Sequence, residues 1–240
     1  KISSASAAVA GCGAVGSAAA ELLALSGIGR MRIIDRDTVK PGDPQSKSLF
    51  TEKDAEGAVP RAAAAATALR EINPDILLEE CVEDINRENI SGLFEGFDIL
   101  VDGLNNSETR FLVNEYSVFA GIPWVAVSIS ASGLMSRLIV PGETPCLRCL
   151  IPDDPAPGTM GSISTLGIKN SRIREIASFM ASQAVGMIIE KEAGREYELV
   201  FYARATTGFT IGSLHIHKRT SPYTSYGTFE VSRPVISTTW

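Results

Sequence analysis

The stretch GCGAVG, residues 11–16, constrains this chain more than any other. Gly11, Gly13 and Gly16 give the spacing GxGxxG. Before them SAAVA (6–10) reads as a short buried strand. After them residues 15–26 read as a helix that Gly27 and Gly29 close. In such a turn the first glycine permits the tight bend, the second lets a phosphate approach the backbone, and the third lets helix pack on strand. The helix start then offers backbone N–H groups to an anion. The next strand, MRIID (31–35), ends in Asp35, 19 residues after Gly16, where a carboxylate can accept from two ribose hydroxyls. The pattern by itself does not choose NAD over ATP, and a tight βα turn with no ligand is the alternative.

The rest of the chain repeats the alternation. Residues 60–72 read as an alanine-rich helix, with Pro60 at its start and Asn73-Pro74 as its stop. Residues 75–81 and 97–102 read as strands, 108–120 as a helix closed by Gly121, and 123–129 and 135–140 as further strands. Strand and helix alternate through residue 129, which implies a mostly parallel sheet with helices on both faces. Trp124, Val125 and Val127 read as core. The Pro- and Gly-rich segment 151–170 reads as a loop, 172–191 as a long helix, and 197–203 with 208–217 as an antiparallel hairpin turning near Thr207-Gly208. The fold class is therefore α/β: doubly wound, Rossmann-like, with a C-terminal antiparallel extension. Residues 1–217 form the nucleotide-binding domain, and 218–240 a tail or oligomer contact.

Bulk properties narrow the function. A net charge of −6 gives no reason to expect nucleic acid or an anionic membrane as partner. No apolar run is long enough for a membrane span, and the residues after Lys1 are not a secretory h-region, so a cytoplasmic protein is expected. Four cysteines in 240 residues argue against a disulfide framework.

A second polar stretch, DGLNNSETR (102–110), directly follows the strand FDILV, at the sheet edge where open α/β folds bind ligands. Together with G11CGAVGSAAAELLALSGIGRMRIIDRDTV39, INP (72–74) and PGETPCLRCLIP (141–152), it resembles the ubiquitin-activating-enzyme-like superfamily, the ThiF, MoeB and HesA proteins. The similarity runs from about residue 6 to about 217, with the motifs in family order. It implies a protein, commonly a homodimer, that binds ATP with magnesium and adenylates a carboxylate. The substrate would be the C-terminus of a ubiquitin-like or sulfur-carrier protein, a peptide, or a small carboxylate. A carboxylate attacking an α-phosphate needs cations and donors to offset the repulsion. An NAD-linked dehydrogenase is a further option, but it gives PCLRC and INP no place.

The resemblance implies site residues one by one. DRDTVKPGDPQSKSLF aligns with DxDxVxxxNLxRQxLF, so Asp35 and Asp37 match. Asp43 stands where Asn is usual, Ser46 where Arg is usual, and Lys47 where Gln is usual. Arg61 falls at the helix-start Lys. In DGLNN, Asp102 and Asn106 match, Asn105 replaces a metal-handling Asp, and Arg110 matches a frequent Arg. The catalytic set is thus Arg61, Asn105 and Lys47. The nucleotide set is Gly11, Gly13, Ala14, Gly16, Asp35, Asp37, Gln45, Asp102, Asn106 and Arg110. Arg for Lys keeps charge but not geometry. Asn for Asp removes a charge that magnesium favours. The alternative function is a catalytically weak or inactive homologue that binds a partner protein or peptide.

Cys146 and Cys149 are half of the zinc site that many relatives carry. The second pair is replaced in HKRTSPYTSYG (217–227), where Ser221 and Thr224 stand near the expected positions, so a lost zinc and a buried thiol pair are expected. His215 and His217 would have to shift to complete a site. A redox CxxC is disfavoured because no helix is expected to start there. The loop after CLRC has no cysteine, so thioester transfer is not expected. Cys12 and Cys81 read as small buried residues, and Arg137 and Arg148 as exposed arginines. The N-terminal helical arm of many relatives is expected to be absent.

Overall fold

The computed structural model describes residues 1–46, 49–130, 133–151, 168–190, 200–205, 208–213, 216–219 and 228–231. Lys47, Thr207 and His215 lie outside them, as do most of the expected 151–170 loop and most of the 218–240 tail.

Six strands form the main sheet: β1 (Ser6–Ala10), β2 (Arg30–Ile34), β3 (Leu77–Cys81), β4 (Ile99–Asp102), β5 (Trp124–Ser130) and β6 (Gly133–Ile139), in the order β3-β2-β1-β4-β5-β6. The first five of that order run parallel and β6 returns antiparallel to β5. The expected fold class is the one observed.

The alternation of side chains along each strand sorts the core onto two faces. Ala7, Val9, Ile99, Val101, Val125 and Val127 face one layer. Ala8, Ala10, Leu100, Trp124 and Ala126 face the other. This is why the strands read as continuous apolar runs: both faces are covered. The first layer holds α1 (Ala14–Leu25) and the alanine-rich helix Arg61–Ile72. It also holds the long helix Asn170–Glu190. With Ala62, Ala65 and Ala66 fully buried, the helix Arg61–Ile72 lies close under α1 and the sheet. The second layer holds Ile90–Phe94, Ser107–Ala120 and the turn of helix Leu147–Leu150.

Four short helices escaped the sequence reading. Numbered in chain order, α2 is Asp43–Ser46, α3 is Glu52–Glu56, α4 is Arg61–Ile72, α5 is Ile90–Phe94, α6 is Ser107–Ala120, α7 is Leu147–Leu150 and α8 is Asn170–Glu190. Elements of four or five residues are too short to show a helical period. One left a signal, since Thr51 and Asp54 form a capping box at the start of α3. The C-terminal hairpin pairs β7 (Val200–Ala205) with β8 (Gly208–Ser213), a shorter second strand than expected. β9 (Ile216–Arg219) pairs instead with β10 (Thr228–Val231).

On the outer strands, Glu79 of β3 takes both Arg30 and Arg32 of β2, and both guanidinium groups lie over Phe97, at 4.3 and 4.9 Å from its ring centroid. The hydrogen bond from Arg30 is the main cause that lowers the Glu79 carboxyl below its ordinary range. Among the described residues no helix is long and apolar enough to cross a membrane.

Candidate functional site

β1 and β4 are parallel neighbours, with Ala10 level with Asp102. From β1 the chain turns into α1 on one face, and from β4 into α6 on the other. The crevice between these diverging turns is the place where open α/β sheets bind ligands. Three glycines make it narrow. Gly11 adopts φ +88°, and its N–H donates to the Ile34 carbonyl. A Cβ on Gly16 would lie 1.9 Å from the Gly11 carbonyl oxygen, and one on Gly103 would lie 2.0 Å from the same atom. At Gly13 a Cβ would meet only the Gly103 carbonyl oxygen, at 3.5 Å, so Gly13 borders open space. As the N-cap of α1 it offers no side-chain acceptor, so the first-turn N–H groups of that helix receive no side-chain cap. Gly103 was not anticipated. A glycine directly after a buried strand beside a glycine turn is the signal that marks it.

Asp35 extends just past β2, against the glycine turn. Its carboxylate accepts from the Cys12 N–H at 2.7 Å and from the Asp37 N–H at 2.8 Å. Burial pushes its pKa up from the ordinary 3.8, and the two N–H donors and the nearby Arg61 work against that shift.

Arg61 opens α4. Its N–H donates to the Asp37 carbonyl at 2.9 Å, which fixes the helix start to the segment after β2. Its guanidinium joins two carboxylates: Nε (3.0 Å) and Nη2 (2.9 Å) go to Asp43 Oδ2, and Nη1 goes to Asp37 Oδ2 at 2.9 Å. Asp43, which departs from the resemblance, thus meets Arg61, which also departs from it.

Asp102 is fully buried at the end of β4. It accepts from Arg110 Nε at 2.7 Å, the Val127 N–H at 3.1 Å and the Leu104 N–H at 2.9 Å. Arg110 Nη2 also donates to the Leu104 carbonyl at 2.6 Å. Asn106 caps α6 by accepting from the Thr109 N–H at 2.8 Å, and Asn105 beside it is exposed.

Gly11, Gly13, Asp35, Asp37, Arg61, Asn105 and Asn106 are brought together around one pocket of about 100 Å³, together with Gly103 and Leu104. Arg36 and Asp84, paired at 2.8 Å, stand at its rim. Ala14, Gly16, Gln45, Asp102 and Arg110 do not line it. Gly16, Asp102 and Arg110 shape the wall from behind. Gln45 is exposed in α2, where its carbonyl accepts from Asn170.

The thiols of Cys146 and Cys149 lie 3.7 Å apart, close to the about 3.8 Å edge of a tetrahedral zinc–thiolate pair. Among the described residues no group of three or more His, Cys, Asp or Glu surrounds them. The thiols would supply two of the four ligands that a structural zinc takes. His217 lies on β9. Several expectations change here. A turn of helix, α7, does start at Cys146, which is its N-cap. Cys149 is exposed rather than buried, and burial of its sulfur with the neighbouring thiol still raises its pKa above the ordinary value. Arg137 is buried, not exposed, because β6 is covered by α8, where Ser136 donates to Gln183 at 2.6 Å. Arg148 is partly exposed, stacked 4.2 Å from the Phe111 ring and paired with Glu115. Cys12 is buried and Cys81 only partly so.

A doubly wound sheet with a glycine crevice and an acidic residue after β2 defines a Rossmann-like α/β protein, and comparison with known proteins gives its family. The ThiF family profile matches residues 1–222, and the chain belongs to the ThiF family. It is 37% identical over 192 residues to the sulfur carrier protein ThiS adenylyltransferase of Bacillus subtilis, covering 80% of this chain and 56% of that protein. It is 30% identical over 194 residues to the SAMP-activating enzyme E1 of Haloferax volcanii, covering 81% of this chain and 71% of that protein. The chain thus spans little more than half of the Bacillus protein. Among solved structures, E. coli MccB with ATP superposes with a TM-score of 0.71 at 22% identity, covering 94% of this chain and 67% of MccB.

Proposed function

We propose that this chain binds ATP in the crevice between β1 and β4 and adenylates a carboxylate. The favoured substrate is the C-terminus of a sulfur-carrier or ubiquitin-like protein, with a peptide or small acid as the other members of the class. The observation that carries the reading is the Asp35 carboxylate, held by two backbone N–H groups beside an open Gly13. The names of the relatives support it: one is a ThiS adenylyltransferase, another a SAMP-activating enzyme, and a MccB structure contains ATP.

In this scheme Asp35 accepts from the ribose hydroxyls, and Gly13 with the α1 N-terminus lies under the phosphates. A carboxylate oxygen of the substrate bonds to the α-phosphorus as the bond to pyrophosphate breaks. Arg61, with Lys47 as a second cation, offsets the charge that develops. Magnesium is an oxygen-seeking cation. Asp37, whose second oxygen is not used by Arg61, and Asn105 would flank it. Gly16, Asp102 and Arg110 hold the wall, and Ala14, Gln45 and Asn106 frame it. Residues 1–217 act as the adenylation unit and 218–240 as an extension, in a cytoplasmic homodimer. The inactive-homologue alternative draws nothing from these relatives, which are named for activation.

The test is ATP–pyrophosphate exchange with a panel of carrier proteins, beside calorimetry with ATP and magnesium. Exchange with one carrier is the expected result. No exchange together with no ATP binding overturns the reading.

A further inference from the structure

Arg61 lines the pocket, and Asp43 does not. Yet Asp43 makes the larger claim on the guanidinium. One carboxylate oxygen takes both Nε and Nη2, while Asp37 takes only Nη1. Of the five guanidinium N–H groups, those on Nε and Nη1 each donate one hydrogen bond, and Nη2 lies 2.9 Å from Asp43 Oδ2 as an ion-pair contact. One N–H on Nη1 and one on Nη2 have no acceptor among the described residues. The side chain of Arg61 is 11% exposed and that of Asp43 13%, against 38% for Asp37. The Asp43 contact is therefore the less hydrated of the two and less screened by solvent. The α2 turn that carries Asp43 is fixed in its own right, since the Lys40 N–H donates to Asp43 Oδ2 at 3.2 Å and the Asp43 N–H to the Lys40 carbonyl at 3.0 Å.

We propose that Asp43 is a positioning residue for Arg61, gripping the guanidinium by its Nε/Nη2 edge so that the remaining N–H groups are presented to a nucleotide phosphate in the crevice. The inference rests on the ATP-binding reading above. Asp37, on the opposite end and more exposed, is the contact that a phosphate or its counter-cation displaces. Asp43 and Arg61 then form one unit. Each departs from the family pattern, and together they hold a guanidinium that a lysine ammonium, with no second edge to grip, would not need held.

The experiment is a double-mutant cycle on ATP affinity, measured by calorimetry with magnesium present. Asp43→Ala is expected to weaken ATP about tenfold, which is about 1.4 kcal/mol, and Asp43→Asn, whose amide oxygen still accepts, to recover most of that loss. In an Arg61→Ala background, Asp43→Ala is expected to change ATP affinity no further. Thermal unfolding identifies a variant that fails to fold; if Asp43→Ala does, Asp43→Ser, whose short side chain cannot span both Nε and Nη2, replaces it in the cycle. Unchanged affinity in the folded Asp43 variant overturns the proposal, and so does a loss of equal size with and without Arg61. If the unmutated protein binds no ATP, the ATP-binding reading itself fails, which is a different result.

Discussion

Gly103 and Gly11 meet backbone to backbone, so close that a methyl on Gly103 would sit 2.0 Å from the Gly11 carbonyl oxygen and 2.7 Å from the Gly16 Cα. Neither neighbour is a flexible side chain that can swing away. Gly103→Ala is therefore expected to destabilise the fold by about 3 kcal/mol or more, measured by urea unfolding. Gly13→Ala is the control. Its φ of −72° suits alanine and its Cβ meets nothing nearer than 3.5 Å. That variant should keep its unfolding midpoint and lose ATP affinity, because the methyl points into the proposed phosphate cradle.

Asp102 and Arg110 form a buried pair, 0% and 8% exposed at their side chains. Removing one partner leaves a charge in a dry site. Asp102→Ala should cost about 3–5 kcal/mol of stability. Denaturant unfolding reads this directly, and a cost below about 1 kcal/mol would contradict the buried geometry.

Asp35 and Glu79 should bend the stability–pH curve in opposite directions. Asp35 has a raised pKa, chiefly from burial, so its contribution is fully present below pH 3.8 and is lost as the pH rises through the higher folded value. The stability difference between the parent and Asp35→Asn should therefore shrink with rising pH in that window. Glu79 has a lowered pKa, chiefly from Arg30, so its contribution is present above 4.5 and is lost as the pH falls through the lower folded value. The difference between the parent and Glu79→Gln should shrink on acidification. Unfolding titrations from pH 3 to 7 on the three proteins separate the two signs.

Alkylation should distinguish the thiols. Cys149 is exposed and Cys12 is fully buried. Iodoacetamide followed by peptide mass spectrometry is expected to label Cys149 well before Cys12. Because the Cys149 pKa lies above its ordinary 9.0, labelling should be slow at neutral pH and should still accelerate past pH 9. A Cys149 rate that levels off below pH 8 would contradict that environment.

The parts of the fold that were legible in the sequence are those encoded locally. The glycine spacing and the position of Asp35 after β2 lie within one βαβ unit, and each apolar run lies within its own strand. Asn106 at the start of α6 and Gly121 at its end are also local signals. What escaped the reading depends on topology. Gly103 matters because strand order sets β4 beside β1, 92 residues on from Gly11. Asp43 and Arg61 are 18 residues apart and meet only because Thr38 bridges to Pro60 and folds that segment back. Arg137 looked exposed because a charge on a lone strand usually is, and only the covering helix α8 reverses that.

The grip of Asp102 on Arg110, Leu104 and Val127 has a consequence for recognition. It fixes the loop 103–106 to β4, β5 and α6 at once, while Gly103 is wedged against Gly11. That wall of the crevice gives up its conformational freedom during folding. A guest arriving there finds a surface already set, and little of its binding energy is diverted into ordering the host.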